Sequence, residues 1–296
     1  MNQKIRTFVL NNSILRELFF FARKKKVNKK KIDKKIENRF FPFSKNQINA
    51  IVSLTSYGER ISELQYTLYS LVVQSVRPKK ILVNLAEKDY TNIPERLKEF
   101  EKYGVEFNKT EDLRSYKKLI PTLHQYPNEI IITADDDLFY PKYWLEKLWK
   151  GHLNYPNCVI CHSTLHIETK NEEYSYKLWK YNKKFSAPSF DNFILSGAGA
   201  LFPVKCFYKD ISNKELFTDL APLADDIWDY FMCILNKTKI MQIEKSYYNL
   251  CYVNPYREYG IIKGETLTQQ NVYQNQNDKQ IASIVSYYKI DLSSLI

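Results

Sequence analysis

The run Ile130-Ile131-Ile132-Thr133-Ala134 ends in three adjacent carboxylates, Asp135, Asp136 and Asp137. An apolar, β-branched run of this length reads as a strand buried on both faces, and the abrupt charge marks where it leaves a sheet. Three neighbouring acids repel one another, so they stabilise nothing unless a cation joins them. A hard divalent ion held by one or two carboxylates, with substrate phosphates completing its shell, suits that arrangement. A solvated acidic turn is the competing reading, and the rest of the chain has to separate the two.

Around this strand the pattern alternates. Ala50–Ser56, Ile81–Leu85 and Val105–Phe107 read as further strands. Helical faces fall between them: Leu64, Leu68, Leu71 and Val72 after a capping box of Ser62 and Gln65, then a helix opened by Pro94, then one from Lys117 to about Tyr126. A further helix is expected from Pro141 to about His152, a strand within Cys158–Ile167, an irregular excursion over Glu172–Phe190 and a weak helix over Asp278–Tyr288. Strand and helix alternating at this spacing imply an α/β chain with a single doubly wound, mostly parallel sheet flanked by helices. Ligands bind such sheets beyond the carboxyl ends of the strands. Thr55, Ser56, Glu87 and the three acids all fall there.

Charge divides the chain differently. Residues 1–46 hold 14 Lys/Arg against 3 Asp/Glu, so the whole net charge of +11 belongs to this arm and the remainder is neutral. Within the arm Phe8, Ile14, Leu15, Leu18, Phe19 and Phe21 share one helical face, and Arg23–Lys26 follow directly. Arg16 and Glu17 interrupt the apolar stretch, which is too short to span a bilayer and lacks a secretory cleavage pattern. A basic amphipathic arm of this kind reads as an anchor on an anionic membrane surface, with nucleic acid as the competing partner. The domain reading is therefore an arm over 1–46, a catalytic domain over 47–255 and a tail over 256–296 that packs on or extends it.

Five cysteines, an odd number in mostly apolar surroundings, suit reduced buried thiols in a cytoplasmic protein. Cys158-Val159-Ile160-Cys161-His162 fits the haem-attachment spacing, and His162 and His166 invite a zinc reading. Haem attachment needs export, and the linker of a zinc finger is missing, so the segment is read as structural.

Five stretches, in this order and spacing, carry a resemblance: Val52–Tyr57, Leu113–Pro121, Thr133–Asp137, Gly197–Gly199 and Ala224–Trp228. Over about residues 48–240 the chain resembles bacterial glycosyltransferases of the GT-A fold, relatives of glycosyltransferase family 2. The resemblance implies a nucleotide-sugar donor, a divalent metal (manganese or magnesium) on the DxD acids, and a carboxylate base in the later acidic pair. It implies transfer to a saccharide or lipid-linked acceptor in cell-surface glycan synthesis, such as capsule or lipopolysaccharide. No QxxRW signature is present, which favours a non-processive enzyme over a polymerase, and the likeness to family 2 implies an inverting one.

Roles follow from that likeness together with the chemistry. Asp135 and Asp137 are the expected metal ligands. Thr55, Ser56, Tyr57, Glu87, Arg114, Lys117, Lys118, Asp135 and Asp136 are assigned to the donor. Alternation along an extended segment turns Asp136 away from its neighbours. Lys117, Lys118 and Arg114 would offset diphosphate charge, or be solvated surface cations. Gly197, Ala198, Gly199 and Trp228 are assigned to the acceptor, against the plainer readings of a tight turn and a core indole. Asp226 is the expected base, and Asp225 caps the helix or orients the acceptor. A nucleotidyltransferase also builds on a parallel sheet with an acid–metal site. It would show a glycine-rich loop after the first strand, which Ser56–Arg60 resembles poorly. A nucleic-acid-binding protein led by the arm is the non-enzymatic alternative, and the neutral body argues against it. Peripheral attachment on the cytosolic face of a membrane is the expected location.

Overall fold

A computed structural model describes residues 27–168, 175–182, 185–243, 251–255 and 275–292. The amphipathic face expected before residue 22 and the Arg23–Lys26 cluster lie outside the described residues.

The central sheet has seven strands. β1 (Ala50–Thr55), β2 (Lys80–Ala86), β3 (Val105–Thr110) and β4 (Ile130–Thr133) form one half, in the order β3-β2-β1-β4. β5 (Leu138–Phe139) lies outside it. β6 (Val159–Cys161), β10 (Ala200–Phe202) and β11 (Ile240–Gln242) form the other half, in the order β10-β6-β11 from β4 outward. Six strands run parallel, and β10 is antiparallel to both its neighbours. The expected α/β, doubly wound, mostly parallel sheet is therefore present. β4 is short and apolar because it lies between β1 and β10 with both faces covered, and Ile131 and Ile132 are fully buried.

The reversed strand matters for the site. Because β10 runs the other way, its entry turn, Ser196–Gly199, lies at the edge where β1, β2 and β4 end. β4 and β10 thus deliver the acids and the glycine turn to the same place.

Helices cover both faces. The first described helix, α1 (Lys29–Glu37), packs on α2 (Leu64–Val72). Every residue of α2 is buried, because the sheet lies beneath it and α1 lies over it. Ile32 is buried, Phe41 stacks on Tyr103 and meets Phe100 edge-on, and Lys29 pairs with Glu63. The second half of the basic segment is thus seated on the α/β body. α4 (Trp144–Asn154) shares that face of the sheet with α2, and on the other side come α3 (Ile120–Gln125), α5 (Lys214–Leu220), α6 (Asp225–Leu235) and α7 (Gln276–Tyr288).

Several local expectations are corrected. α2 starts at Leu64 with Glu63 as its cap residue, and the Ser62 hydroxyl donates to the Glu59 carbonyl, so there is no capping box with Gln65. Pro141 precedes its helix by three residues, and α4 starts at Trp144. Cys158–Ile167 is not one strand. β6 joins the central sheet, whereas β7 (Thr164–His166) pairs with β8 (Lys180–Tyr181) and β9 (Asn192–Ile194). The excursion over Glu172–Phe190 is thereby partly ordered as an edge strand. A short β12 (Cys251–Tyr252) pairs with β5.

Candidate active site

The three acids after β4 have three different fates. Asp136 turns inward, where Ser56 Oγ donates to it at 2.6 Å and Arg60 grips it through Nη2 at 2.6 Å and Nε at 3.0 Å. Thr67 Oγ1 holds its carbonyl at 2.7 Å. With 6% of its side chain exposed, Asp136 is a structural counter-ion, which corrects its assignment to the donor; alternation along the segment explains why. Asp137 keeps 20% exposure and shares the same Arg60 Nη2 at 2.6 Å. Asp135 is the most open, at 37%, with Lys118 Nζ 3.2 Å away. Burial opposes the charge on Arg60, but Asp136 and Asp137 outweigh it and hold the guanidinium firmly protonated.

Gly197 makes room for Asp135, and Gly199 makes room for Trp144. A Cβ at Gly197 would sit 1.9 Å from Asp135 Oδ2, and one at Gly199 would sit 2.4 Å from Trp144 Nε1. Gly199 also has φ +118°, which L-residues avoid. Tyr140 links the parts: its hydroxyl accepts the Asp135 N–H at 2.7 Å and donates to the Gly197 carbonyl at 2.8 Å. Trp144 Nε1 donates to the Ala198 carbonyl at 2.8 Å. The turn is therefore packed against Asp135 and Trp144, with Ala198 buried and Gly197 partly exposed.

The second acidic group starts α6. Asp226 lies beside the same turn: Ser196 donates to its Oδ1 through the backbone N–H at 3.2 Å and through its hydroxyl. Crowding by protein pushes the Asp226 carboxyl up to about 6; Asp225 and Asp135 add repulsion, while Lys118 and Ser196 offset part of it. Its side chain still keeps some solvent contact. Asp225 lies 2.9 Å from Lys118 Nζ. Lys118 thus stands between the two acidic groups, and Asp135, Asp225 and Asp226 keep its ammonium charged despite complete burial.

One helical turn further, Asp229 is 1% exposed, and neither of its carboxylate oxygens has a hydrogen-bond partner among the described residues. Burial first, then Asp225 and Asp226, push its carboxyl well above the ordinary range against the pull of Lys118. Nothing in the sequence pattern distinguished Asp229 from a surface acid.

The remaining candidates separate. Thr55 spans to the Asn84 carbonyl at 2.7 Å, and Tyr57 stands exposed with Arg60 over its ring at 5.4 Å. Glu87 is exposed and pairs with Lys109, and Arg114 is exposed with φ +54°. Lys117 is buried and pairs with Asp112 rather than facing solvent. Trp228 is fully buried and its Nε1 donates to the Ile211 carbonyl at 2.9 Å, so it is core and does not stack on a sugar. Arg60 carries no local signal in the sequence, because its partners Asp136 and Asp137 lie far along the chain. His162 is buried with Nε2 2.8 Å from the Trp144 carbonyl, and burial lowers its pKa to about 3, consistent with a structural role for that segment.

A divalent cation can be weighed against these donors. The described residues hold no cluster of three or more His, Cys, Asp or Glu shaped as a metal cage. Asp135 and Asp137 are nonetheless hard oxygen donors, the two exposed members of the triad, and carry more negative charge with Asp136 than Arg60 alone balances. They fit an ion that takes the rest of its shell from ligand oxygens.

No family model matches the chain, and no curated protein matches it. Solved structures do. Residues 1–349 of Staphylococcus aureus TarS align over 80% of this chain and 71% of that one, at 13% identity and a TM-score of 0.46. The same fragment in complex with UDP-GlcNAc aligns over 69% and 57%, at 15% identity and 0.44. A 4-diphosphocytidyl-2C-methyl-D-erythritol synthase from Anaerococcus prevotii aligns over 74% and 93%, at 14% identity and 0.45. Likeness at this level leaves the choice of activity to the site itself.

Proposed function

We propose that the protein is a metal-dependent, inverting and non-processive glycosyltransferase that moves a sugar from a nucleotide donor to a saccharide or lipid-linked acceptor in cell-surface glycan synthesis. One observation carries the reading. Asp135, the most open carboxylate after β4, and Asp226, a carboxylate with a raised pKa at the start of α6, meet at one turn, Ser196–Gly199.

The chemistry divides between them. The acceptor hydroxyl oxygen forms a bond to the anomeric carbon, the bond from that carbon to the diphosphate oxygen breaks, and the hydroxyl proton passes to Asp226 Oδ. A base whose pKa lies just below the working pH is ionised at rest and still basic enough to take that proton. Ser196 fixes the carboxylate's orientation. Asp135 and Asp137 would hold the cation, which supplies charge to offset the diphosphate that leaves. Ser56 and Arg60 keep Asp136 inward, so that its neighbours point out. Lys118 holds Asp135 and Asp225 in register.

The test is thermal stability against a panel of nucleotide sugars with and without manganese, followed by product analysis. A ligand that binds only the folded chain raises the midpoint. One nucleotide sugar is expected to raise it in a manganese-dependent way and to yield free nucleoside diphosphate with acceptor. Pyrophosphate release from a nucleoside triphosphate would instead establish nucleotidyl transfer and overturn the reading.

A further inference from the structure

Among the described residues, the outer surface of α1 has no partner. Its inner face is fully employed: Ile32 is buried, Lys29 pairs with Glu63, and Asp33 accepts from Gln65 Nε2 at 3.3 Å and from the Tyr66 hydroxyl at 3.2 Å. Lys30, Lys31 and Lys34 face the other way and are exposed. No carboxylate among the described residues pairs with any of these three. At the end of the helix the chain divides its aromatic rings. Phe41 goes inward to Phe100 and Tyr103, whereas Phe40 is left 56% exposed, with the Tyr69 hydroxyl bonded to its carbonyl at 3.1 Å and Lys35 5.7 Å from its ring. Arg39, with φ +50°, is exposed beside it.

We propose that this face, Lys30, Lys31, Lys34 and Arg39 with Phe40, docks on an anionic lipid surface. Charge complementarity names the occupant. Unpaired lysines on one side of a helix, beside a bare aromatic ring, are what an anionic headgroup layer accommodates: the ammonium groups stay among phosphates and the ring enters the acyl boundary. A duplex nucleic acid would meet the same charges but offers no open base for Phe40 to stack on, and the body beyond residue 46 carries no net charge, which provides no track for a polyanion. The basic run Arg23–Lys26 precedes α1 in sequence and extends the same charge.

The face has a defined relation to the acids. Glu63, the partner of Lys29, also accepts from Asn254 Nδ2 at 3.2 Å, and the neighbouring Val253 N–H donates to the Asp137 carbonyl at 2.7 Å. A cavity of about 340 Å³ between Val27–Lys30 and Val253–Pro255 marks this junction. A membrane under α1 would thus lie next to the rim of the site. On the glycosyltransferase reading, this delivers a lipid-linked acceptor; the docking itself stands without that reading.

The experiment is co-sedimentation of the full chain with phosphatidylcholine vesicles, with and without phosphatidylserine. The wild type is expected to bind only the anionic vesicles, and less as salt is raised. Combined Lys30→Glu, Lys31→Glu and Lys34→Glu should weaken binding at least ~10-fold, since each cation near such a surface contributes about 1 kcal/mol. Phe40→Ser should weaken it by a smaller factor, and the thermal midpoint of both variants should stay near that of wild type. Unchanged binding by both variants, equal binding to neutral vesicles, or binding to duplex DNA that outcompetes the anionic vesicles would each overturn the proposal.

Discussion

The two acidic groups of the site use the same residue type in opposite ways. After β4, three consecutive aspartates meet Arg60 and Lys118, and the two that remain open are held apart by a third that is locked inward. At the start of α6, three aspartates on one helix face have, among the described residues, Lys118 as their shared cation, and Asp229 has no hydrogen-bond partner there. Where cations and solvent are supplied, a carboxylate can exchange one counter-ion for another. Where they are withheld, burial pushes the carboxyls of Asp226 and Asp229 up. The first arrangement suits binding charge, and the second suits moving a proton.

The comparison breaks most sharply at the first group. Asp135→Ala and Asp137→Ala are each expected to abolish transfer and to remove the manganese-dependent rise in midpoint given by nucleoside diphosphate. Full activity of both variants in chelator would erase the distinction between the groups.

The bridge between them comes next. Lys118→Met leaves Asp135 and Asp225 without their shared cation, and breaking a buried pair in this way costs roughly 3–5 kcal/mol. Chemical denaturation should show that loss. A change near zero would mean that the two groups are electrostatically separate.

The smallest effect sharpens the second group. The carboxyl of Asp229 is raised in the fold, so as pH rises the unfolded chain ionises first and the folded state loses stability from the ordinary carboxylate range up to the folded pKa. Asp229→Asn removes that penalty. Its midpoint relative to wild type should therefore be higher at about pH 8 than at about pH 4, and an equal difference at both would show that Asp229 carries no proton.

Much of this was legible before any coordinates. The four parallel strands of the first half, the placement of the acids at strand ends, and the inward turn of Asp136 follow from period and alternation. What escaped depends on contacts between distant segments. Nothing local distinguishes Trp228 on the core face of α6 from a ring at a sugar site, and only the carbonyl of Ile211 settles it. The glycines were recognisable as special, but that they make room for Asp135 and Trp144 depends on the reversal of β10. Lys118 reads as a surface cation until α6 is brought beside it. Arg60 escaped because its partners lie more than seventy residues away in sequence.

The claim that the second group handles the proton is tested most directly by the pH dependence of kcat at saturating donor and acceptor. Below its pKa Asp226 is protonated and cannot accept, so kcat in the wild type should climb with pH through about 6, where burial and Asp225 hold that carboxyl. Asp225→Asn removes one repelling charge, and the climb should move to lower pH. Asp226→Asn should lose turnover by at least ~10²-fold while donor binding is kept. An acid limb already in the ordinary carboxylate range in the wild type, or an Asp226→Asn variant that turns over at the wild-type rate, would contradict the account.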